Sequence, residues 1–279
     1  MTKNLYKVTL HKTYSIIFLA SLFMISCASK STIRPGDSLE VAFEKSMEQY
    51  ENERYGDAAS SFETVLSIGR GTQIADDAQY YLAESYYKNR QYLIAATEYR
   101  RYATNYPRSN RRSEVEYKEA MSYYHLSPRY NLDQTETHRA IELFQLFVQR
   151  NSNSEYVEPA REKIDELRNK LAEKGYRASE LYHRVGHYEA AAIYFGLVME
   201  QYPESKWSEQ ALANQIGAYV SYADNSVTDR QKERYDKAVE SYHRYIQIFP
   251  RGDHRDDAER YYGQALDGLE PFTDATAQR

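Results

Sequence analysis

Hydrophobic and small residues recur along most of the chain at spacings of three and four, with charged residues between them. The pattern is clearest in three stretches that align without gaps and carry proline near their ends. Positions i, i+4 and i+7 of such a stretch share one helix face, and proline stops the helix. We therefore predict three amphipathic helices with matching buried faces. The stretches are QYLIAATEYRRYATNYPRS from Gln91, HYEAAAIYFGLVMEQYPES from His187 and RYDKAVESYHRYIQIFPRG from Arg234.

A partner helix and a turn precede the repeated stretch. Upstream of Gln91, the segment AQYYLAESYYKNRQY has helical spacing and reaches a turn at Asn89. The turn is copied, because YENERY from Tyr50 resembles YKNRQY from Tyr87. A helix-turn-helix unit of about 34 residues is typical of the tetratricopeptide repeat. Two weaker copies fill the gaps, so we predict an all-α fold, an α-solenoid of about five such repeats over residues 38–269.

Three segments interrupt this regular spacing. We expect long turns at SPRYNLDQTET from Ser127 and at ADNSVTDRQKER from Ala223. The segment YVEPAREKIDELRNKLAEK from Tyr156 has an apolar seam and is predicted to form an additional helix. Residues 270–279 are expected to be a disordered tail. These insertions place the repeats farther apart than the standard unit length.

The first residues of the chain have the pattern of an exported protein. Lysines precede an apolar run over residues 14–25, which is shorter than the roughly 20 residues that cross a bilayer as a helix. We therefore expect residues 1–26 to be a signal peptide that is removed. Met24-Ile25-Ser26-Cys27 resembles a bacterial lipobox, although Met24 and Ile25 are unusual there. The alternatives are an ordinary signal peptide with an incidental cysteine, or a buried thiol.

Cys27 is the chain's single cysteine, so it cannot form an internal disulfide. We expect it to be lipidated and to begin the mature chain, with residues 27–37 as a lipidated cysteine and flexible tether. No cofactor is expected beyond the covalent diacylglyceryl and N-acyl lipid on Cys27. By similarity to Gram-negative lipoproteins, Ala28 and Ser29 favour the outer membrane, which places the protein on its periplasmic face. Several acyl chains would hold it there, since one alone anchors only marginally.

Charge and motif content exclude several functions. Loss of residues 1–26 removes three lysines and no acid, which changes the net charge from −5 to −8 and disfavours nucleic acid as a partner. His183 and His187 could ligate a metal, but the repeat alignment puts His187 in a turn, so we expect no metal site. The paired aspartates at Asp76 and Asp256 suit helix starts. GRGT at Gly69 lacks the ending of a phosphate loop, and no catalytic constellation has supporting context.

The chain has 29 tyrosines, more than the repeat core uses. Adjacent pairs cannot all face the same side of a helix, so some must lie in a groove or on the surface, where an amphipathic ring suits peptide recognition. We take Tyr80, Tyr87, Tyr123 and Tyr124 as candidates for a peptide groove. A basic cluster is interpreted as a solvated edge or, alternatively, a surface for an acidic partner. It consists of Arg108, Arg111 and Arg112.

Together, the lipobox cysteine, the short tether, the repeats ending in NYPRS, QYPES and IFPRG and the YYKNRQY turn resemble the BamD (ComL/YfiO) family of outer-membrane assembly lipoproteins. The resemblance implies a non-enzymatic periplasmic scaffold of the β-barrel assembly machinery. It also implies that the carboxy-terminal units dock on the periplasmic domains of BamA, and that the amino-terminal units receive unfolded outer-membrane proteins. Further subunits of the complex are other expected partners. The turns at Ser127 and Ala223, and Tyr194, depart from the family pattern.

Three other classes compete with this interpretation. A periplasmic tetratricopeptide-repeat protein that coordinates envelope and cell-division processes has similar repeats, but normally has a coiled coil and no lipid. A lytic glycosidase on a helical solenoid would need a further domain with a catalytic glutamate. A nutrient-binding lipoprotein on a helical scaffold is usually much longer.

Overall fold

The computed structural model describes residues 32–277, and all regular structure in that range is α-helical. The predicted signal peptide 1–26, Cys27 and residues 28–31 lie outside the described residues. The helices are α1 (Leu39–Glu51), α2 (Tyr55–Ile68), α3 (Gln73–Lys88), α4 (Tyr92–Asn105), α5 (Arg112–Leu126), α6 (Thr135–Arg150), α7 (Val157–Arg184), α8 (Tyr188–Gln201), α9 (Ser208–Asp224), α10 (Thr228–Ile248) and α11 (Arg255–Ala277). The prediction of an all-α fold of tetratricopeptide-like helical repeats is confirmed.

The chain divides into two compact units at residue 89, and each is described by itself. The first unit contains α1, α2 and α3, which all contact one another. Its core is built from small and aromatic side chains, because alanines let the helix axes approach closely while aromatic rings fill the remaining space. Phe62 is fully buried at its centre, and the Tyr81 ring stacks on it at 5.8 Å between centroids.

The second unit contains α4 to α11, and each helix packs on the next one in the chain. Three core clusters run through it in sequence order, around Phe144, Phe195 and Tyr245. The aligned positions of the repeated stretches are buried as predicted. Ala95, Tyr99 and Tyr102, and likewise Ala191, Phe195 and Val198, are buried at the aligned positions.

The copied turn has a copied backbone conformation. Glu53, Arg90 and Gly186 occupy the same turn position and have positive φ angles of 58°, 60° and 84°. The residue that follows has φ near −85° and ψ near 60° in all three turns. A left-handed residue after a helix lets the chain reverse within a few residues, and glycine adopts it without strain. The hairpin turn is therefore set by backbone geometry even where glycine is missing.

The ends of the predicted repeat region differ from expectation. Residues 32–37 contact the first unit: Ile33 packs on its core, and the Asp37 carboxylate accepts a 2.6 Å hydrogen bond from Lys45. At the other end, α11 continues to Ala277, eight residues into the expected disordered tail. Leu269 packs on the core around Tyr245, so the helix has a reason to continue past the last repeat.

The two predicted long turns have different structures. Residues 127–134 form a loop between α5 and α6, as expected. The segment from Ala223 is mostly helical instead: α9 ends at Asp224 and α10 begins at Thr228. Its charged residues extend α10 to 21 residues, with exposed Arg230 paired to Glu233 one turn later. The predicted additional helix is the first part of α7, which runs for 28 residues.

Candidate functional site

Two of the predicted groove residues, Tyr80 and Tyr87, lie on α3 in the first unit. They are seven residues apart, so they share one face of the helix, and both are half-buried. The Tyr80 ring meets the edge of the Tyr81 ring at 5.3 Å between centroids. Tyr81 and Tyr86 pack instead on the core of this unit. We call the side of α3 that carries Tyr80 and Tyr87 the tyrosine face.

The other two predicted groove residues, Tyr123 and Tyr124, lie on α5 in the second unit and pack against its core. The Tyr124 hydroxyl donates a 2.5 Å hydrogen bond to Glu166 on α7, and the Lys163 amine lies 4.8 Å from the ring centroid. The bond to Glu166 and burial raise the pKa of Tyr124. Arg139 lies over the Tyr123 ring at 5.9 Å. These two rings thus brace neighbouring helices, and their role in peptide recognition stays a prediction.

A polar groove of about 340 Å³ opens near the end of the second unit. We call it the C-terminal groove. Its walls come from α7, α8, α9 and α11, and its polar side chains include Glu180, His183, Arg184 and Asn214, with Tyr261 across from them. His183 forms a 3.2 Å hydrogen bond with Ser221, and burial lowers the pKa of its imidazole. The groove therefore combines charged, amide and aromatic side chains.

A larger cavity of about 470 Å³ lies beside the loop at residues 127–134, where no site was predicted. Lys174 on α7 holds the loop by donating a 2.5 Å hydrogen bond to the carbonyl of Leu132. Tyr194, which departs from the family pattern, lines the cavity and stacks on Tyr182 at 5.0 Å. The insertion at Ser127 was the sequence signal for this cavity, but its apolar lining comes from helices distant in sequence.

The residues weighed for metal or catalytic chemistry have structural partners. His183 bonds to Ser221, whereas the backbone N–H of His187 closes the turn by donating to the carbonyl of Tyr182. Over residues 32–277, no group of three metal-ligating side chains lies together. None of the described helices is long and apolar enough to cross a membrane.

Comparison with solved structures finds tetratricopeptide repeat proteins. A protein from Parabacteroides merdae is 14% identical, the match covers 94% of this chain and 98% of that one, and the TM-score is 0.39. The tetratricopeptide domain of P58(IPK) is also 14% identical, with 83% of this chain and 59% of that chain covered and a TM-score of 0.40.

Comparison with characterised sequences finds assembly factors. The putative outer membrane protein assembly factor BamD of Aquifex aeolicus is 29% identical over 230 residues, which cover 82% of this chain and 73% of the relative. The outer membrane protein assembly factor BamD of Caulobacter vibrioides is 29% identical over 146 residues, 52% of this chain and 48% of the relative. The model of the YfiO family, described as outer membrane lipoprotein, matches residues 36–234. The chain therefore belongs to the YfiO family of outer membrane lipoproteins.

Proposed function

We propose that this chain is a lipid-anchored scaffold of the β-barrel assembly machinery on the periplasmic face of the outer membrane. Family membership is the observation that carries the proposal, because the relatives are named outer membrane protein assembly factors. The chain acts in outer membrane protein assembly and is not an enzyme. Its helical hairpins suit that work, since stacked repeats present rigid surfaces to several partners.

The C-terminal groove is the proposed contact with the periplasmic domains of BamA. Two helices that line this groove, α7 and α9, present charged and amide side chains that can pair with a folded partner. The variant Arg184→Glu should reduce recovery of the barrel protein when the chain is isolated in mild detergent. Arg161→Glu, also exposed on α7, is the matched control. Undiminished recovery of BamA with Arg184→Glu would place the contact elsewhere.

The tyrosine face is the proposed contact with unfolded outer-membrane proteins. Its half-buried rings can pack on an aromatic side chain at the end of a substrate peptide. A labelled peptide ending in phenylalanine should bind the full chain more tightly than the same peptide without that residue. Tyr80→Ala with Tyr87→Ala should abolish the difference, whereas the Phe variants at both positions should keep it. Equal binding of the two peptides to the unaltered chain would refute this role.

The lipid anchor on Cys27 remains a proposal that rests on the lipobox-like sequence. Cys27→Ala should release the protein from the membrane fraction and lower its mass by the weight of the acyl groups. Cys27→Ala protein that partitions with the membrane at unchanged mass would show that the cysteine is incidental. A wash at high salt separates lipid anchoring from ionic attachment, because ionic contacts are screened and acyl chains are not.

A further inference from the structure

A groove lined by arginines crosses the second unit between α4 and α6. Its volume is about 430 Å³, and α5 forms its floor. We call it the arginine groove. Its residues line neither the tyrosine face nor the C-terminal groove. The side chains that define it are Arg100 on α4, Arg112, Glu116 and Glu119 on α5, and Arg139, Leu143, Leu146 and Arg150 on α6.

The α6 wall has an apolar centre with a cation at each end. Arg139, Leu143, Leu146 and Arg150 follow one another at spacings of four, three and four, so they form a single seam along the helix. The two arginines are eleven residues apart, which is about 16 Å along the axis. Leu146 is 37% exposed between them. One exposed leucine is not unusual by itself, but here it lies in a groove between two arginines of the same seam.

The two glutamates on the floor already have ion-pair or hydrogen-bond partners within the chain. Glu119 is buried and paired with Arg100 at 2.6 Å. Glu116 accepts hydrogen bonds from Arg112 at 3.0 Å and from Asn151 at 2.8 Å. These pairs fix the floor and direct its hydrogen bonds to Arg100, Arg112 and Asn151, while the charge of Glu119 also acts on Arg139 of α6.

The arginines of α6 form fewer ion pairs and hydrogen bonds than the glutamates of the floor. Arg150 has no ion pair or hydrogen bond through its side chain within residues 32–277. Arg139 lies over the Tyr123 ring at 5.9 Å and pairs with Glu142 at 3.3 Å, but both side chains of the ion pair are open to solvent, so the ion pair contributes little. The groove is thus locally basic in a chain whose net charge is −5. Its charge complement is a partner that carries carboxylates.

We propose that the arginine groove docks an acidic amphipathic helix of a partner protein. The partner helix would place two carboxylates three turns apart, opposite Arg139 and Arg150, with two apolar side chains between them over Leu143 and Leu146. A helix matches these distances because its residues repeat with the same rise as those of α6. The site goes beyond the proposed assembly role, since it needs neither BamA nor an unfolded substrate.

The test uses a labelled, end-blocked helical peptide with two glutamates eleven residues apart and two leucines between them at the spacing of Leu143 and Leu146. Fluorescence anisotropy with the full chain in mild detergent should show saturable binding. The same peptide with lysines in place of the glutamates should bind at least about tenfold more weakly. Arg139→Glu with Arg150→Glu should reverse that preference, which a general loss of folding cannot do.

Two matched pairs of single variants locate the contact. Leu146→Ser and Arg150→Glu should weaken binding of the acidic peptide, whereas Ile248→Ser and Arg230→Glu on α10 should not, although those side chains are at least as exposed. Equal affinity for the acidic and basic peptides, or equal losses in the α10 controls, would overturn the proposal. Displacement of the peptide by phosphatidylglycerol vesicles with a dependence on Arg139 and Arg150 would assign the groove to a lipid surface instead.

Discussion

Tyr245 donates a 2.8 Å hydrogen bond to Oε1 of Glu209. In an earlier repeat, a serine hydroxyl is the hydrogen-bond partner of the equivalent tyrosine. The earlier repeat has Ser109 after α4, where its hydroxyl bonds to Tyr102 at 2.7 Å and accepts from the backbone N–H of Arg111. After α10 the serine position is Gly252. Burial, together with the bond to Glu209, raises the pKa of Tyr245.

The Glu209 carboxylate replaces both hydrogen bonds that the serine hydroxyl makes in the earlier repeat. Oε1 of Glu209 also accepts a 2.7 Å hydrogen bond from the backbone N–H of His254, two residues after Gly252, as Ser109 does from the residue two after it. A Cβ atom on Gly252 would lie 2.2 Å from this oxygen. Glycine at 252 and glutamate at 209 therefore depend on each other, because the space beside Tyr245 fits either the Glu209 carboxylate or a serine side chain at 252.

The first prediction is that Gly252→Ser and Glu209→Ala compensate each other. Alone, Gly252→Ser should lower the free energy of unfolding by about 1–3 kcal/mol through overlap with the carboxylate. Glu209→Ala should cost about 1–3 kcal/mol, since it leaves the Tyr245 hydroxyl without its acceptor. The double variant should lose less than the sum, as measured by urea denaturation.

Gly263→Ser is the matched control for this cycle, because a Cβ on Gly263 meets nothing within 4 Å. It should be tolerated and should show no coupling to Glu209→Ala. Strictly additive losses for Gly252→Ser and Glu209→Ala would show that the hydroxyl does not replace the carboxylate.

The sequence pattern predicted the helices of the repeats because their cores depend on local spacing. Alanine at one position and aromatic residues at the next two are enough to define a buried face, as Ala95, Tyr99 and Tyr102 show. The pairing of Glu209 with Gly252 could not be predicted this way. It joins residues of different repeats, and each looks ordinary in its own helix or turn.

The contacts of the candidate residues could not be predicted, for the same reason. Tyr80 and Tyr87 could be grouped by their spacing, but the bond from Tyr124 to Glu166 on α7 joins helices that are distant in sequence. The arginine groove was foreseen only through Arg112, because Arg139 and Arg150 are far away in sequence. The packing of the whole unit decides which helices of different repeats face each other. The spacing of residues along one sequence does not show this.

A second prediction concerns strain in the copied turn. Glu53 has a φ of 58°, a conformation that costs a residue with a Cβ roughly 1 kcal/mol and costs glycine little. Glu53→Gly should therefore raise the free energy of unfolding by at most about 0.5 kcal/mol in thermal or urea melts, because the added freedom of glycine in the unfolded chain offsets part of the relieved strain. Glu51→Gly, at the last residue of α1, should not raise it, because Glu51 has no positive φ and there is no strain to relieve. A loss of stability in Glu53→Gly would mean that the side chain makes contacts that outweigh the strain.

A third prediction uses the buried Glu119. Burial raises the pKa of this carboxyl above its ordinary value near 4.5, although the bonds and charges of Arg100 and Arg139 act in the opposite direction and Glu116 adds to the rise. Between the ordinary and the raised pKa the folded chain binds more protons than the unfolded chain. The carboxyl therefore contributes most to stability at low pH, and that contribution is lost as the pH rises through the folded pKa.

Comparison with Glu119→Gln isolates this effect, because the amide still accepts from Arg100 but does not titrate. The unfolding free energy of the unaltered chain minus that of the variant should fall as the pH rises above about 4.5, with a slope of at most about 1.4 kcal/mol per pH unit. Chemical denaturation at several pH values measures it. A difference that is constant or rises with pH would show that the Arg100 pair outweighs burial.

A fourth prediction concerns the loop at residues 127–134, which is organised by one buried amide. Nε2 of Gln134 donates to the carbonyls of Arg129 at 2.8 Å and Leu132 at 3.0 Å, and its Oε1 accepts a 2.7 Å bond from Thr137. Gln134→Ala should remove these bonds and lower the free energy of unfolding by about 1 kcal/mol, since the Leu132 carbonyl keeps Lys174 and the Thr137 hydroxyl keeps Ser127. Hydrogen exchange should rise first in the loop, whose remaining ties to the fold are the Lys174 bond to Leu132 and the bonds of Ser127 to Lys170 and Thr137.

The control for this change is Asn131→Ala, an exposed position in the same loop, which should leave exchange unaltered. The comparison separates two views of the insertion. If Gln134→Ala loosens only residues 127–134, the loop is an independent wall of the cavity beside Tyr194, held by one side chain. If exchange instead rises equally along α6 and α7, the loop is a structural joint between those helices, and the cavity beside it is a consequence of their packing.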